Sequence, residues 1–528
     1  MQQIHRSAWL LAIASGILQV LVFPSPNLYW LCWVALAPLI VALLTARPAD
    51  AIFAERRPAS LLQGFVLAYT SGVIWYLGTC YWVFHVMHQY GGVSASGSAG
   101  ILVLFCLYLA LYHGLFGGMI CFLAAGRERS ARRALLLAPF LWVAAELPRA
   151  RISAFPWDLL GTVQVDNIAL NRLATVTGVY GLSFEIVLIN SVVAAAFLLP
   201  AERRRILLVE VALVAAILQG LAFSKWPTFP TDRTALLVQA NIPILTGDTW
   251  TEQYFDGTMR DLVWISTVAS EGGRRRKPDL IVWPESPAPF YSNDPKFRDT
   301  VAAVAHQTGS YVVAGSNGTP SGNMGAATST TIYNSASVMS PEGAWVARYD
   351  KVHLVPFGEY LPFKWLFGFA GGLTKEVGSY APGASREPLA AGDQRLGVFI
   401  CYESVFPDEI REFARNGAQV FVNISDDGWY GEHGAFAQHL NQARMRAVEN
   451  ERWLLRATDT GVTAAIDPYG RVTASVPRDL RTTLAADYAL SGRTTFYTRH
   501  GDWFALACAI ISVAALLWRL RVPAGERL

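Results

Sequence analysis

Apolar residues are spread unevenly along the chain. Ahead of residue 225 they gather into seven long stretches, at about 8–23, 29–45, 61–84, 100–125, 134–147, 178–199 and 206–224, and an eighth covers 503–518. Most approach the roughly 20 residues needed to cross a bilayer core, and the first and fifth are the shortest. The first could instead be a signal-like segment, but no small-residue cleavage site follows it. The pattern predicts eight membrane spans.

Between residues 225 and 501 the periodicity changes. Short apolar runs alternate with helical patterns, predicting strands at 235–238, 280–283, 311–314, 331–339, 344–349, 396–400, 420–424, 453–457 and 463–466. Helices are predicted at 250–269, 295–306, 407–416 and 435–450. Strand and helix alternating so often imply an α/β layered fold. Residues 315–330, rich in Gly, Ser, Thr and Asn, are expected to form a mobile loop. The domain reading is 1–224 membrane, 225–501 extramembrane, and 502–528 last span and tail.

Composition sharpens this picture. Hydrophobic residues are 53% and charged residues 16% of the 528-residue chain, and mean hydropathy is positive, as in a polytopic membrane protein. Net charge is only +3, and no basic stripe points to nucleic acid. Arginines gather at Arg6, in the second loop (Arg47, Arg56, Arg57), the fourth (Arg127, Arg129, Arg132, Arg133), the sixth (Arg203, Arg204, Arg205) and the tail (Arg519, Arg521, Arg527). The loops after the first and third spans have none, whereas the loop after the fifth carries Arg149, Arg151 and Arg172. By the positive-inside rule both termini are cytoplasmic and the 225–501 segment is outside, on the periplasmic side of a Gram-negative cell. The exceptional fifth-span loop, from Glu146 to Trp157, reads as interfacial anchors, a substrate site or a salt-bridged re-entry. Glu210 is expected to snorkel toward Arg203–Arg205.

Cysteine usage then singles out one residue. Of six cysteines, Cys32, Cys80, Cys106, Cys121 and Cys508 fall in predicted spans, leaving Cys401 alone in the outer domain. It follows the run Leu396 to Ile400 and precedes a helix start at Pro407, a strand-to-helix turn suited to presenting a nucleophile. Burial as a small hydrophobe is the plainer reading. There is no CxxC or HExxH, so no metal is expected, and His433 and His439 read as polar surface or substrate contacts. Lysine is absent before Lys225, yet Lys351 ends a predicted strand; Glu285 closes another apolar run between prolines. Each has an ordinary reading, as a solvated strand-end lysine or a loop acid. Together, Glu285, Lys351 and Cys401 each stand at a strand's carboxyl end, where α/β sheets collect their sites.

Three segments, Trp283-Pro-Glu285-Ser, Lys351-Val-His-Leu-Val-Pro-Phe-Gly-Glu359 and Cys401-Tyr-Glu403, resemble the Glu-Lys-Cys triad of the carbon-nitrogen hydrolase (nitrilase) superfamily. Joined to eight spans, the chain resembles bacterial apolipoprotein N-acyltransferases over essentially its whole length. The resemblance includes Trp142-Val-Ala-Ala-Glu-Leu, Phe155-Pro-Trp, Gln239-Ala-Asn-Ile-Pro, Ser425-Asp-Asp-Gly-Trp-Tyr and Gln442-Ala-Arg-Met-Arg-Ala. It implies a four-layer αββα sandwich for the outer domain. It also implies transfer of a fatty acyl chain from a phospholipid, in this family phosphatidylethanolamine, to the N-terminal amine of a diacylglyceryl-cysteine lipoprotein at the inner membrane. On it, Glu359 supports the triad, Tyr402 and Glu403 flank the nucleophile, and Trp250 is a substrate-side aromatic. No cofactor is implied.

The residue types suit that chemistry. The Cys401 thiolate attacks an ester carbonyl, Glu285 moves the protons, and Lys351 with the Tyr402 backbone N–H steadies the oxyanion. The competing readings are a membrane-tethered amidase with the same triad, a transporter or scaffold whose outer domain only binds, and a Cys-His pairing of Cys401 with His353.

Overall fold

The computed structural model describes residues 3–47, 57–125, 129–222, 228–244, 250–271, 277–285, 290–320, 331–360, 380–431 and 434–521. The chain divides into two compact units. One comprises Met1–Phe84, Ala95–Trp226 and His500–Leu528; the other comprises His85–Ser94 and Pro227–Arg499. The expected domain boundary at residue 224, most of the 315–330 loop and His433 lie outside the described residues.

The first unit is helical. Among the described residues four helices, Leu61–Thr79, Ala95–Ala124, Val179–Leu198 and Trp503–Arg521, are long and apolar enough to cross a membrane, and Arg6–Val22 and Tyr29–Leu44 are shorter apolar segments. Leu10, Leu104, Phe197 and Ile510 point outward and exposed, as lipid-facing side chains do. The second apolar stretch is not one continuous helix. Asn190 Oδ1 accepts from the backbone N–H groups of Leu36 and Ala37 at 2.8 and 2.9 Å, and its Nδ2 donates to the Cys32 carbonyl. A side-chain amide set into the ladder accounts for the break between Cys32–Ala35 and Ala37–Leu44.

Two charged features of this unit are paired. Glu210 pairs with Arg132, on the Arg129–Arg151 helix. Arg149 is buried and donates to the carbonyls of Phe155, Trp157 and Asp158, which closes the loop after its helix, while Arg151 pairs with Asp502 at 2.6 Å. Arg149 therefore holds its own loop together, and Arg151 ties that loop to Asp502 just before the last helix.

The second unit is built on two six-stranded sheets. In chain order the strands are β1 (Arg233–Gln239), β2 (Leu280–Val282), β3 (Tyr311–Gly318), β4 (Tyr333–Met339), β5 (Trp345–Asp350), β6 (Leu389–Ala391), β7 (Gln394–Ile400), β8 (Val420–Ser425), β9 (Leu454–Thr458), β10 (Ala464–Ile466), β11 (Val472–Ser475) and β12 (Thr482–Tyr488). One sheet has the order β12-β1-β2-β3-β4-β5 and the other β11-β10-β9-β8-β7-β6. Each has three parallel central strands, β1-β2-β3 or β7-β8-β9, flanked by antiparallel ones. The parallel strands are buried over most of their length, β2, β8 and β9 completely, because both their faces are covered.

Helices Glu252–Glu271 and Pro295–Thr308 pack their apolar stripes on the first sheet, where Phe297, Val301, Val304 and Ala305 meet Leu236, Ile281 and Val312. Asp294 caps the second of these helices by accepting from Lys296 N, Pro295 opens it, and Gly309 at φ +67 ends it in the left-handed region. Burying each large side chain contributes about 1.5–3 kcal/mol.

All nine expected strands are present. The sequence reading omits β6, β11 and β12, and Gly315–Gly318, expected in a loop, continue β3 in register with Tyr333–Ala336. A Cβ on Gly318 would stand 2.4 Å from Ser335 Oγ, so the glycine belongs to a close strand contact.

Candidate active site

Three strand ends deliver the triad. Glu285 follows β2 through Trp283 and Pro284, Lys351 follows β5 directly, and Cys401 follows β7 at the start of a one-turn 3-10 helix, Cys401–Val405. All three are buried, with Lys351 only 1% exposed. Lys351 Nζ donates to Glu359 Oε1 at 2.9 Å and lies 3.6 Å from Glu285 Oε1. Cys401 has φ +49, a left-handed conformation that non-glycine residues hold only when their surroundings enforce it.

Glu359 lies between Lys351 and Asn334. Its Oε1 also accepts from Asn334 Nδ2 at 2.7 Å, and its Oε2 accepts from Val355 N at 2.7 Å. The same Asn334 amide donates to Glu285 Oε1 at 2.7 Å, so one β4 side chain spaces the two carboxylates. Glu285 Oε2 accepts from the backbone N–H of Asp426, at the end of β8. Both oxygens of this strand-end acid are thereby aimed.

Glu403 joins the lysine segment to the nucleophile strand. Its Oε1 accepts from Tyr349 Oη, Val352 N and His353 N, and its Oε2 from Ile400 N, at 2.7 to 3.1 Å. Hydrogen bonds to a charged acceptor are worth about 1.5–3 kcal/mol each, so this carboxylate fixes where Lys351 and Cys401 stand relative to one another. Tyr402 is buried against Phe406 and His353. Trp250 packs edge-on against Tyr254 and Phe290.

His353, the partner in the Cys-His reading, contacts Glu409 and Phe406. Its Nδ1 is 2.9 Å from Glu409, and its ring stacks on Phe406 at 3.7 Å.

His439 overturns its expected place at the surface or against substrate. It is fully buried on helix Ala435–Asn450, with Nε2 3.0 Å from the Cys401 carbonyl and 2.8 Å from Ser404 Oγ. Its Nδ1 is 2.9 Å from Asp427 Oδ1, and Asp427 Oδ2 accepts from Arg456 at 2.6 Å. Ser425 Oγ also donates to Asp427, and Arg456 donates to Asn423. Long sequence separation hides this network; the only signal is the density of polar residues in an otherwise apolar strand-end region.

The electrostatics suit a thiol that ionises only during reaction. Burial, then the Glu285 carboxylate, pushes the Cys401 thiol well up, while Lys351 and Ser425 pull it down. Burial alone would lower Lys351, yet the charges of Glu359, Glu285 and Cys401 hold it above its usual range, so it stays a cation. Burial raises Asp427, but Arg456 and His439 outweigh it and hold that carboxyl low. Among the described residues no group of His, Cys, Asp and Glu is arranged to hold a metal.

Comparison with known proteins shows the family. Residues 235–496 match the family described as "Carbon-nitrogen hydrolase", and residues 15–192 match the "Apolipoprotein N-acyltransferase N-terminal domain". The chain is 34% identical to an apolipoprotein N-acyltransferase of Geobacter metallireducens, covering 98% of this chain and 96% of that one. It is 33% identical to one of Methylococcus capsulatus, covering 95% and 94%. It also resembles the solved structure of a Nesterenkonia AN1 amidase from the nitrilase superfamily, with 19% identity, coverage of 50% of this chain and 94% of that one, and a TM-score of 0.37. The chain belongs to the apolipoprotein N-acyltransferase family.

Proposed function

We propose that Cys401 carries the acyl group of this N-acyltransferase as a thioester, with Glu285 as general acid/base and Lys351 as oxyanion partner. The observation that carries this reading is the buried contact of Lys351 with Glu359 and Glu285 beside a raised thiol. In the first half-reaction Glu285 takes the thiol proton as sulfur attacks the ester carbonyl of a phospholipid. Lys351 Nζ and the Tyr402 N–H stabilise the oxyanion; losing such a donor costs about 3–4 kcal/mol. Collapse breaks the ester bond, and Glu285 returns the proton to the departing lysophospholipid alkoxide. The lipoprotein's N-terminal amine then attacks the thioester, leaving an amide and free Cys401.

Glu359 and Glu403 position Lys351 and the nucleophile, and Tyr402 lies beside the sulfur. Trp250 is assigned to the substrate side on resemblance alone, since its ring packs in the core around Phe290. Phosphatidylethanolamine is the proposed donor.

The loop arginines support eight spans with both termini cytoplasmic, and residues 225–501 on the periplasmic side of the bacterial inner membrane. The proposed domains are 1–224, 225–501 and 502–528. The two sheets with their helices support a four-layer αββα sandwich. The test is release of lysophospholipid from phosphatidylethanolamine vesicles by the full-length protein, with and without a diacylglyceryl-cysteine peptide. This reading predicts about one equivalent without acceptor and continuous release with it. Hydrolysis of soluble amides with no lysophospholipid would instead establish an amidase.

A further inference from the structure

Proton accounting separates the two half-reactions. Thiol attack on an ester is proton-neutral within the site, because the proton leaving sulfur ends on the alkoxide. Acylation of an amine is not. An N-terminal amine, with an ordinary pKa of about 8, arrives largely as an ammonium, and its nitrogen must shed two protons to become an amide. One returns to Cys401 sulfur through Glu285. The other needs a second acceptor.

The strand ends carry one. β7, β8 and β9 are parallel neighbours, with Ile400 opposite Ile424 and Ser425 opposite Thr458. Asp426 and Asp459 come next on β8 and β9, level with one another on strands about 4.8 Å apart, while Cys401, next after Ile400, stands level with Ser425. Asp426 and Asp459 are 2% and 0% exposed. Each has one satisfied oxygen. Asp426 Oδ1 accepts from Gly428 N and Thr460 Oγ1, and Asp459 Oδ1 accepts from Ile242 N. The other oxygen of each, Oδ2, is buried without a hydrogen-bond partner. A buried carboxylate oxygen with no donor is costly, and a proton held between two such oxygens satisfies both.

We propose that Asp426 and Asp459 form an acid pair that accepts the proton lost by the acceptor's ammonium before attack on the Cys401 thioester. The proposal rests on the thioester reading above. The ammonium N–H bond breaks and its proton goes to the pair; the free amine attacks and the C–N bond forms. Glu285 takes the second nitrogen proton as the C–S bond breaks, and passes it to sulfur. Once the amide product departs, the pair gives its extra proton to solvent. Burial and nearby carboxylates raise the proton affinity of both members. The groups around them are Glu285 from β2, Asp427 held by Arg456 and His439, Tyr90, and Arg481 near Asp459.

The test loads full-length protein with acyl groups from phosphatidylethanolamine micelles and follows discharge in a single turnover. Two acceptors are compared: a diacylglyceryl-cysteine peptide, and hydroxylamine, which is unprotonated at neutral pH. For the isosteric D459N variant, thioester formation is expected within twofold of the parent. Discharge to the peptide at neutral pH falls about tenfold or more, general-base catalysis being worth 10²–10⁴. That deficit narrows as pH rises past the amine's pKa, and discharge to hydroxylamine is unchanged. Equal loss with both acceptors at every pH, or no loss with the peptide, overturns the acid pair. Failure of the parent protein itself to form a thioester overturns the underlying reaction, and the pair with it.

Discussion

His439 reaches the nucleophile through its backbone: imidazole Nε2 lies 3.0 Å from the Cys401 carbonyl oxygen, on a residue held at φ +49. With Asp427 and Arg456 behind it, the ring is fixed from both nitrogens. This is a positioning role, since the imidazole contacts the Cys401 peptide.

Substituting His439→Phe should release the turn while filling its volume. A nucleophile displaced by about 1 Å loses on the order of 100-fold in rate. Both half-reactions should slow together, and His439→Gln, which can still reach the carbonyl as a donor, should recover part of the loss. Single-turnover rates for the two variants check this; equal loss in both would assign His439 to packing alone.

Glu285 and Lys351 act on the Cys401 thiol with opposite sign, which separates charge from catalysis. The carboxylate raises the thiol pKa and the ammonium lowers it. Glu285→Gln should therefore shift the pH profile of Cys401 alkylation downward while abolishing thioester formation. Lys351→Met should shift the profile upward and cost about 3–4 kcal/mol in acyl transfer. Iodoacetamide labelling across pH reads both. Shifts of the same sign would contradict the arrangement.

Glu403→Ala removes the acceptor of Tyr349 Oη, Val352 N, His353 N and Ile400 N in one step. A buried group left unsatisfied costs about 1–3 kcal/mol, and several are exposed to that cost here. The variant should denature at a clearly lower temperature in detergent, and the molecules still folded should transfer acyl groups more slowly than the parent.

Asp427 neutralises Arg456 within a site closed to water. Asp427→Ala leaves that guanidinium buried and unpaired, at about 3–5 kcal/mol. Because Asp427 titrates below its ordinary value, the stability it contributes is full above the unfolded carboxylate pKa of about 3.9. It is lost as pH falls through the lower folded value. Thermal denaturation from pH 7 to 4 should show the variant weakened throughout that range.

Glu285, Lys351 and Cys401 are legible in the sequence because each stands at the end of a strand; Glu285 and Cys401 close apolar runs that become parallel strands, whereas β5 before Lys351 is antiparallel. Glu359 and Glu403 follow only from the resemblance; nothing in local pattern shows that one gathers Asn334 and Lys351, or that the other ties four donors. The His439–Asp427–Arg456 network joins a helix, a turn and a strand far apart in the chain, and spacing arguments see only one element at a time. β11 is mostly exposed and β12 alternates through alanines, so neither has the apolar contrast that marks the central strands. Residues 315–318 were hidden by glycine and serine, which there serve close approach between β3 and β4. The break in the second apolar stretch depends on Asn190, more than 150 residues away in sequence.

The most direct test of the covalent route is the intact mass of the full-length protein after incubation with phosphatidylethanolamine and no acceptor. The thioester reading predicts one added acyl mass, mapped to Cys401, removed by hydroxylamine and absent from Cys401→Ala. An unmodified Cys401 in protein that nonetheless acylates a diacylglyceryl-cysteine peptide would contradict it.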